Sequence, residues 1–497
     1  MELLSVSDMQ EADRLTIAGG TEGFTLMKRA GRAVADVAEA LSDSGPIVVV
    51  AGRGNNGGDG FIAAADLAAR GRDVAVILLC RMDSLKGDAA RAAREWKGEV
   101  RPFGPQSLGR PALIIDALFG AGLDRPVKGD AAEIIEAINT SGVPVLAVDL
   151  PSGINGNSGA VMGVAIKATQ TVTFFRRKLG HLLLPGRLHC GEVHVADIGI
   201  EAGVLDTIKP RACENVPQLW RGAFPAPQAD GHKYSRGHAV VVSGGMTSSG
   251  AARLAARAAL RAGAGLVTLV SPDDALAVNA GSLTAVMIRG ADTVAQFARL
   301  LEDKRLNACV IGPGAGVGSH TRDFVLELLS AGRHCVLDAD ALTSFADHPE
   351  RLFTAIRAAR AQIVLTPHAG EFARLFKSET AEDSLSKLER TRMAAAQSGA
   401  LVLLKGPDTV VASPTGRASI ASNAPPWLAT AGAGDVLSGM IGGLLAQGVD
   451  AFDAASIAVW MHGEAARQFG PGLIAEDLPE MLPQVLSGLY ARFRIDF

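Results

Sequence analysis

The sequence predicts an α/β protein made of two successive parallel sheets, each covered by helices. Three observations predict it. Short, continuously apolar, β-branched runs alternate with segments of helical period along most of the 497 residues. Strands buried on both faces read this way. The alternation lapses once, between residues 208 and 228, where Pro210, Pro217, Pro225 and Pro227 fall in a stretch of little periodicity. A domain boundary belongs there, giving domains 1–213 and 224–497. The chain is 48% hydrophobic and 20% charged, so it can fill large cores and is not broadly disordered.

Element by element, residues 7–41 are helical in period, and 47–51 is a β-branched strand followed by a Gly/Asn loop. A helix is expected over 60–70, a strand over 74–80, a helix over 86–96 and a strand over 112–117. A helix over 130–139 and a strand over 143–148 follow, and 169–175 and 192–196 extend the sheet. The second half repeats the scheme with different loop motifs. Its strands are expected at 238–243, 265–270, 308–311, 335–337, 363–365 and 401–404, with an Ala-rich helix over 251–262.

Composition narrows the function classes. Formal net charge is -4 and aromatics are 5%, with no basic tract of the kind nucleic acid requires. Cys80, Cys190, Cys213, Cys309 and Cys335 are scattered and odd in number, which fits free thiols in a reducing compartment. The start lacks a basic region followed by an apolar core, and no apolar run is long enough to span a bilayer. The expectation is a soluble cytoplasmic protein with no nucleic-acid or membrane partner.

Ligands of open parallel sheets bind beyond the carboxyl ends of the strands. Three such ends in the first half carry acids. Gly52-Arg53-Gly54-Asn55-Asn56-Gly57-Gly58-Asp59-Gly60 follows the first strand. Asp116 ends another, with Gly120-Ala121-Gly122-Leu123-Asp124-Arg125-Pro126 after it. Asp149-Leu150-Pro151-Ser152-Gly153 follows a third. Carboxylates, amides and the Ser152 hydroxyl are hard oxygen donors suited to a group-one or group-two cation. The loop 120–125 offers bare N–H groups to a phosphate, with Arg125 as a clamp. For any single acid, a helix or turn cap is the alternative; for all three together it is a poor one. No Gly-Lys-Ser/Thr ends the first loop, so it is not a P-loop, and its glycines do not match the spaced dinucleotide fingerprint.

The loop Asn55 to Gly60, with Asp149 to Gly153, resembles the NAD(P)H-hydrate epimerase (YjeF N-terminal) family over about residues 1–210. The resemblance implies a Rossmann-like doubly wound domain that interconverts the R and S forms of hydrated NADH or NADPH. It implies that Asn55, Asn56, Gly57, Gly58 and Asp59, then Gly120, Ala121, Gly122, Leu123, Asp124, Arg125 and Pro126, and Asp149, line the dinucleotide. Asn56, Asp116 and Ser152 match the family's potassium positions. Asp149, at a strand end, is the candidate proton acceptor.

In the second half, Thr430-Ala431-Gly432-Ala433-Gly434-Asp435 precedes a long apolar run. It reads as a small-residue turn opening a helix, whose bare N–H groups and dipole suit phosphate oxygens. Asp435 then stands where a carboxylate can take a proton from a hydroxyl beside a phosphoryl group; a plain helix cap is the alternative. Gly312-Pro313-Gly314, Pro367-His368-Ala369-Gly370-Glu371 and Lys405-Gly406-Pro407-Asp408-Thr409 also follow strands, and Ser248-Ser249-Gly250-Ala251 opens a helix. A tight turn, a polar loop histidine, a surface lysine and a plain cap are their respective alternatives.

In this order these motifs resemble the ADP/ATP-dependent NAD(P)H-hydrate dehydratase family, which has a ribokinase-like fold, over nearly all of 224–497. The resemblance implies that Ala251, Gly314, His368 and Asp435 contact the hydrated dinucleotide. It implies that Lys405, Gly406, Pro407, Asp408, Thr409 and Gly434 contact the adenine nucleotide. Together the halves look like a bifunctional isomerase and lyase of NAD(P)H repair. The expected cofactors are potassium, ADP or ATP as co-substrate (ADP favoured) and magnesium; the expected partners are these small molecules and further copies of the chain. A small-alcohol kinase fused to a non-catalytic nucleotide-binding module is the alternative.

Overall fold

The computed structural model describes residues 1–377 and 385–495. The chain divides into two compact units, 2–212 and 213–497. In the first, helices α1 (Val6–Ala18), α2 (Gly23–Leu41), α3 (Asn55–Ala69), α4 (Gly87–Glu95) and α5 (Asp130–Thr140) surround a parallel sheet. Its strands are β1 (Ile47–Ala51), β2 (Val74–Leu78), β3 (Glu99–Arg101), β4 (Leu113–Ala117), β5 (Val145–Val148), β6 (Gln170–Phe174) and β7 (Glu192–Ala196). They lie side by side as β3-β2-β1-β4-β5-β6-β7, all parallel.

Successive residues of β1 face opposite cores. Ile47, Val49 and Ala51 join the cluster under α2 and α3, while Val48 and Val50 join the one under α5. This period-two burial on both faces explains the continuous apolar reading of the strands. Strand order reverses between β1 and β4, so the loops after these two strands diverge and leave a crevice.

Two helices differ from the sequence reading. The segment 7–41 is broken at Gly19-Gly20 into α1 and α2, since Gly20 has φ +102° and does not continue a helix. The Gly/Asn loop is largely helix, with α3 starting at Asn55 rather than residue 60. Glycine is a poor helix former, but here tertiary packing decides. A Cβ on Gly57 would stand 2.0 Å from the Gly52 carbonyl oxygen, so only glycine lets the helix start this close to the loop.

In the second unit, the parallel strands are β8 (His238–Val242), β9 (Leu266–Ser271), β10 (Met287–Gly290), β11 (Ala308–Ile311), β12 (His334–Leu337), β13 (Ile363–Leu365) and β14 (Leu401–Leu404). Two antiparallel strands, β15 (Val410–Ala412) and β16 (Ala418–Ile420), continue the sheet in the order β16-β15-β14-β13-β12-β11-β8-β9-β10. Strands β3, β10, β15 and β16 were not anticipated. Strands β3 and β10 lie at sheet edges, and β15 and β16 are three residues each, too short for a pattern to show.

Helices α6 (Ser249–Arg261), α7 (Ala369–Leu375), α8 (Ala433–Ala446), α9 (Ala451–Phe469) and α10 (Asp477–Phe493) complete the parts of this unit used below. Helices α6 and α8 touch backbone to side face: a Cβ on Gly439 would lie 2.1 Å from the Ala255 carbonyl oxygen. That contact sets the height of the α8 N-terminus above the sheet. The proline-rich stretch is not a loose linker. Trp220 is 1% exposed and packs on Phe224, Trp460 and Phe493 within this unit's core. Among the described residues no helix is long and apolar enough to cross a membrane.

Candidate functional site

The crevice of the first unit opens into a cavity of about 970 Å³. Asn55, Asn56, Asp59, each residue from Gly120 to Pro126, and Asp149 line it. Gly57 and Gly58 serve packing instead, against Gly52 and against Met27 and Ala89. Asp149 has φ 64°, a costly conformation for a residue with a Cβ, and a dense set of bonds holds it. Its Oδ1 receives the Lys178 ammonium at 2.6 Å and the Thr173 hydroxyl at 3.0 Å; its Oδ2 accepts the Ala121 N–H at 3.1 Å. Burial opposes ionisation of Asp149, but Lys178 outweighs it, with smaller help from His181 and Ala121, and the carboxyl stays below its ordinary range. His181 meets the Asp149 carbonyl at 2.8 Å, and burial followed by the Lys178 charge pushes it down to about 4, so the ring is neutral.

Asp116 and Ser152 are brought together. The Ser152 hydroxyl donates to Asp116 Oδ1 at 2.6 Å and the Ser152 N–H to Oδ2 at 2.7 Å, while the Phe119 N–H donates to the Ser152 oxygen at 2.7 Å. Burial pushes Asp116 up to about 6 against the pull of these bonds. Asn56 reaches the same loop from α3: its Oδ1 lies 2.9 Å from where a Cβ on Gly120 would stand. Its buried Nδ2 has no hydrogen-bond partner.

The second unit gathers its motifs at the carboxyl ends of its strands. The Lys405 ammonium pairs with Asp338 at 2.8 Å and stands 3.9 Å from Glu371, whose other oxygen is 3.3 Å from His368 Nε2. It also lies 3.4 Å from where a Cβ on Gly434 would be. Burial opposes the charge on Lys405, yet Asp338 and then Glu371 raise its pKa, so it stays an ammonium. Helix α8 is capped by Gly432 at φ 87°, and Asp435 sits in its first turn. Burial first, then Asp338, push Asp435 up to about 6, with Lys405 pulling the other way.

Gly312 and Gly314 come from the neighbouring strand end. A Cβ on Gly312 would clash at 1.8 Å with the Asp338 carbonyl oxygen, and one on Gly314 would lie 2.4 Å from that of Ser248. Ser248 caps α6, in whose first turn Ala251 lies. The Asp408 carboxylate pairs with Lys387 at 2.6 Å. Thr409 closes the turn by donating to the Gly406 carbonyl at 2.7 Å.

Several residues escape the sequence reading. Asp338 ends a strand just as Asp116 does, and that position was a usable signal. Lys178 sits in Arg176-Arg177-Lys178, which reads as a solvated basic run, yet it is 1% exposed. Asp13 lines the first cavity from α1, where sequence shows only one acid among several. His462 is buried and neutral, pushed down to about 4 by burial.

The comparisons with known proteins follow this geometry. Residues 23–180 match the family model described as YjeF-related protein N-terminus, and 239–487 match that described as NAD(P)H-hydrate dehydratase. The bifunctional NAD(P)H-hydrate repair enzyme Nnr of Salinibacter ruber is 36% identical over 99% of this chain and 97% of its own. That of Coxiella burnetii is 34% identical over 95% of this chain and 96% of its own. A solved ADP/ATP-dependent NAD(P)H-hydrate dehydratase from Bacillus subtilis, co-crystallised with ATP/Mg2+, has 27% identity, a TM-score of 0.49, and covers 56% of this chain and 98% of its own. With both family models matched in order and likeness running nearly end to end, the chain belongs to the family of bifunctional NAD(P)H-hydrate repair enzymes.

Proposed function

We propose that residues 1–213 interconvert the R and S epimers of NAD(P)H hydrate, and that 224–497 dehydrate the S epimer while ADP is split to AMP and phosphate. The observation that carries the second part is the grouping of Asp435, Lys405 and the open N-terminus of α8 at one strand-end rim. Water added to a dihydronicotinamide ring leaves a hydroxyl, a poor leaving group. Asp435 takes the hydroxyl proton as the oxygen attacks the terminal phosphorus of the nucleotide. The N–H groups of Gly432 to Gly434 and the Lys405 ammonium stabilise the charge on the transferring phosphoryl. The ring C–O bond then breaks with phosphate leaving on that oxygen, the neighbouring ring carbon loses a proton, and the reduced ring is restored.

Lys405, Gly406, Pro407, Asp408, Thr409 and Gly434 hold the nucleotide; Ala251, Gly314, His368 and Asp435 hold the hydrate. Magnesium would come bound to the nucleotide phosphates and would supply positive charge there, with the Asp435 carboxylate as the hard oxygen donor that would hold it. In the first unit Asp149 is the proton acceptor. Asn56, Asp116 and Ser152 suit a potassium-sized cation, because the orphaned amide end of buried Asn56 presents its oxygen after a half-turn of the amide. The cation would hold the loops after β1 and β4 at fixed separation.

The test supplies the full chain with pure S or R-enriched NADH hydrate and ADP or ATP, following recovery of reduced-ring absorbance and release of phosphate. Recovery with equimolar phosphate is expected. A phosphorylated alcohol as final product would overturn the dehydratase reading. Asp149→Ala should stop use of the R epimer and leave dehydration of pure S near its normal rate.

A further inference from the structure

The first cavity holds two carboxyls that the reaction above does not use. Asp59 lies in the first turns of α3 and is 9% exposed; Asp13 comes from α1, and both line the cavity. Neither carboxyl has a hydrogen-bond partner among the described residues. The contrast with their neighbours is sharp. Both oxygens of Asp149 and both of Asp116 are taken by protein donors. Buried polar groups are hydrogen-bonded as a rule. A carboxyl nine-tenths buried on the wall of an open cavity, and left unbonded by the protein, is reserved for a ligand.

The charged groups acting on Asp59 are Asp149, Asp13 and Lys178. Burial first, then the two carboxylates, push Asp59 well above the carboxylate range. Burial pushes Asp13 up to about 6 against the pull of Lys178. The other charged residues of the wall are Arg53, Asp88, Asp124, Arg125, Lys128 and Asp130.

We propose that Asp59 is the catalytic proton donor of the epimerisation and that Asp13, on the same cavity wall, is a positioning residue for it. This rests on the epimerase reading of the first unit. Hydration of an enamine puts the proton on the β carbon and the hydroxyl on the carbon next to nitrogen. Epimers therefore differ at that carbon. Asp59 gives its proton to the hydroxyl oxygen, the C–O bond breaks with its electron pair going to oxygen, and water departs. The ring nitrogen lone pair closes a C=N bond, leaving a cation that the ionised Asp149 stabilises. Water adds back to either face, forming the new C–O bond; Asp149 accepts the proton it sheds, and a proton passes from Asp149 back to Asp59 through solvent. No atom or electron is gained or lost over the cycle. Two carboxyls shifted in opposite directions, Asp59 up and Asp149 down, are what an acid and a counter-charge need in one site.

The experiment uses the full chain and R-enriched NADPH hydrate, with epimer ratio read by chromatography across pH and NADP+ binding measured in parallel. Wild type should interconvert the epimers; if it does not, the epimerase reading falls whatever the variants do. Asp59→Asn should bind NADP+ and lose about a hundredfold or more of the rate. A rate within threefold of wild type would overturn the proposal. Asp13→Asn should move the alkaline limb of the pH–rate profile to lower pH, since removing a negative neighbour makes Asp59 a stronger acid. A limb that stays in place overturns the role of Asp13, and of Asp59 as well should Asp59→Asn not fold.

Discussion

Asp435→Asn is expected to destroy dehydration and at the same time stabilise the protein, and the pH dependence of the second effect is fixed by the first. Burial and Asp338 raise the Asp435 carboxyl from 3.8 to about 6. A folded value above the unfolded one means that the protonated form folds without penalty below about pH 4. The penalty grows as pH rises through about 6 and is complete above about 7. A shift of roughly two units corresponds to on the order of 3 kcal/mol at neutral pH. Asparagine carries no charge, so it escapes that cost. The variant should melt with wild type near pH 4 and several degrees above it at pH 7.5, since about 1 kcal/mol moves Tm by roughly 2–4 °C in a domain this large. Its turnover of pure S epimer with ADP should fall about a hundredfold or more. In wild type, kcat/KM should rise with pH to half its maximum near 6. Equal Tm differences at both pH values would refute the electrostatic account, and near-normal turnover would refute the base.

Lys405→Met leaves Asp338 a buried carboxylate without its ammonium, so it should cost about 3–5 kcal/mol and raise the KM for ADP; thermal melts and initial rates check both. Lys178→Met removes the charge that holds Asp149 low, so the acid limb of epimerisation should move to higher pH; a fall in rate with no shift of the limb would count against it. Gly57→Ala drives a Cβ to 2.0 Å from the Gly52 carbonyl oxygen and should cost about 1–3 kcal/mol, abolishing epimerisation while S-epimer dehydration persists. Growing crystals in rubidium or thallium salts should give an anomalous peak beside Asn56, Asp116 and Ser152, and no peak there would remove the cation.

The class of fold was legible because the central strands are buried on both faces, and such strands write themselves as apolar runs. What was not legible depends on distances along no single segment. The start of α3 at Asn55 defies helix propensity, and its cause is the approach of Gly57 to Gly52 and of Gly60 to Ala117. The strand-end acids were legible as a set, and Asp338 belonged to it by position. Lys178 and Asp13 were not, since a lysine in a basic run and an acid on a helix look solvated until the fold closes over them. Sequence therefore locates the rims of the sites better than it assigns ionisation within them.

Both units solve one electrostatic problem by the same arrangement. A buried lysine is committed to a strand-end aspartate, Lys178 to Asp149 and Lys405 to Asp338. A second acid, on the first turns of the helix beside it, gets no bond from that lysine and is pushed up by burial and by the paired carboxylate. How far it is pushed sets its use. Asp435, at about 6, is mostly ionised at neutral pH and can accept a proton. Asp59, more deeply buried, is pushed well above the carboxylate range, the direction a proton donor needs. The same pair of residue types thus supplies a base where an ester must form and an acid where water must leave. The difference lies in the depth of the pocket, since Asp435 faces three carboxylates (Asp338, Asp340 and Glu371) and Asp59 only two (Asp149 and Asp13); of the first-unit substitutions Asp13→Asn is the more discriminating. It alters the ionisation of the donor without touching either the Lys178 pair or the loops that shape the cavity.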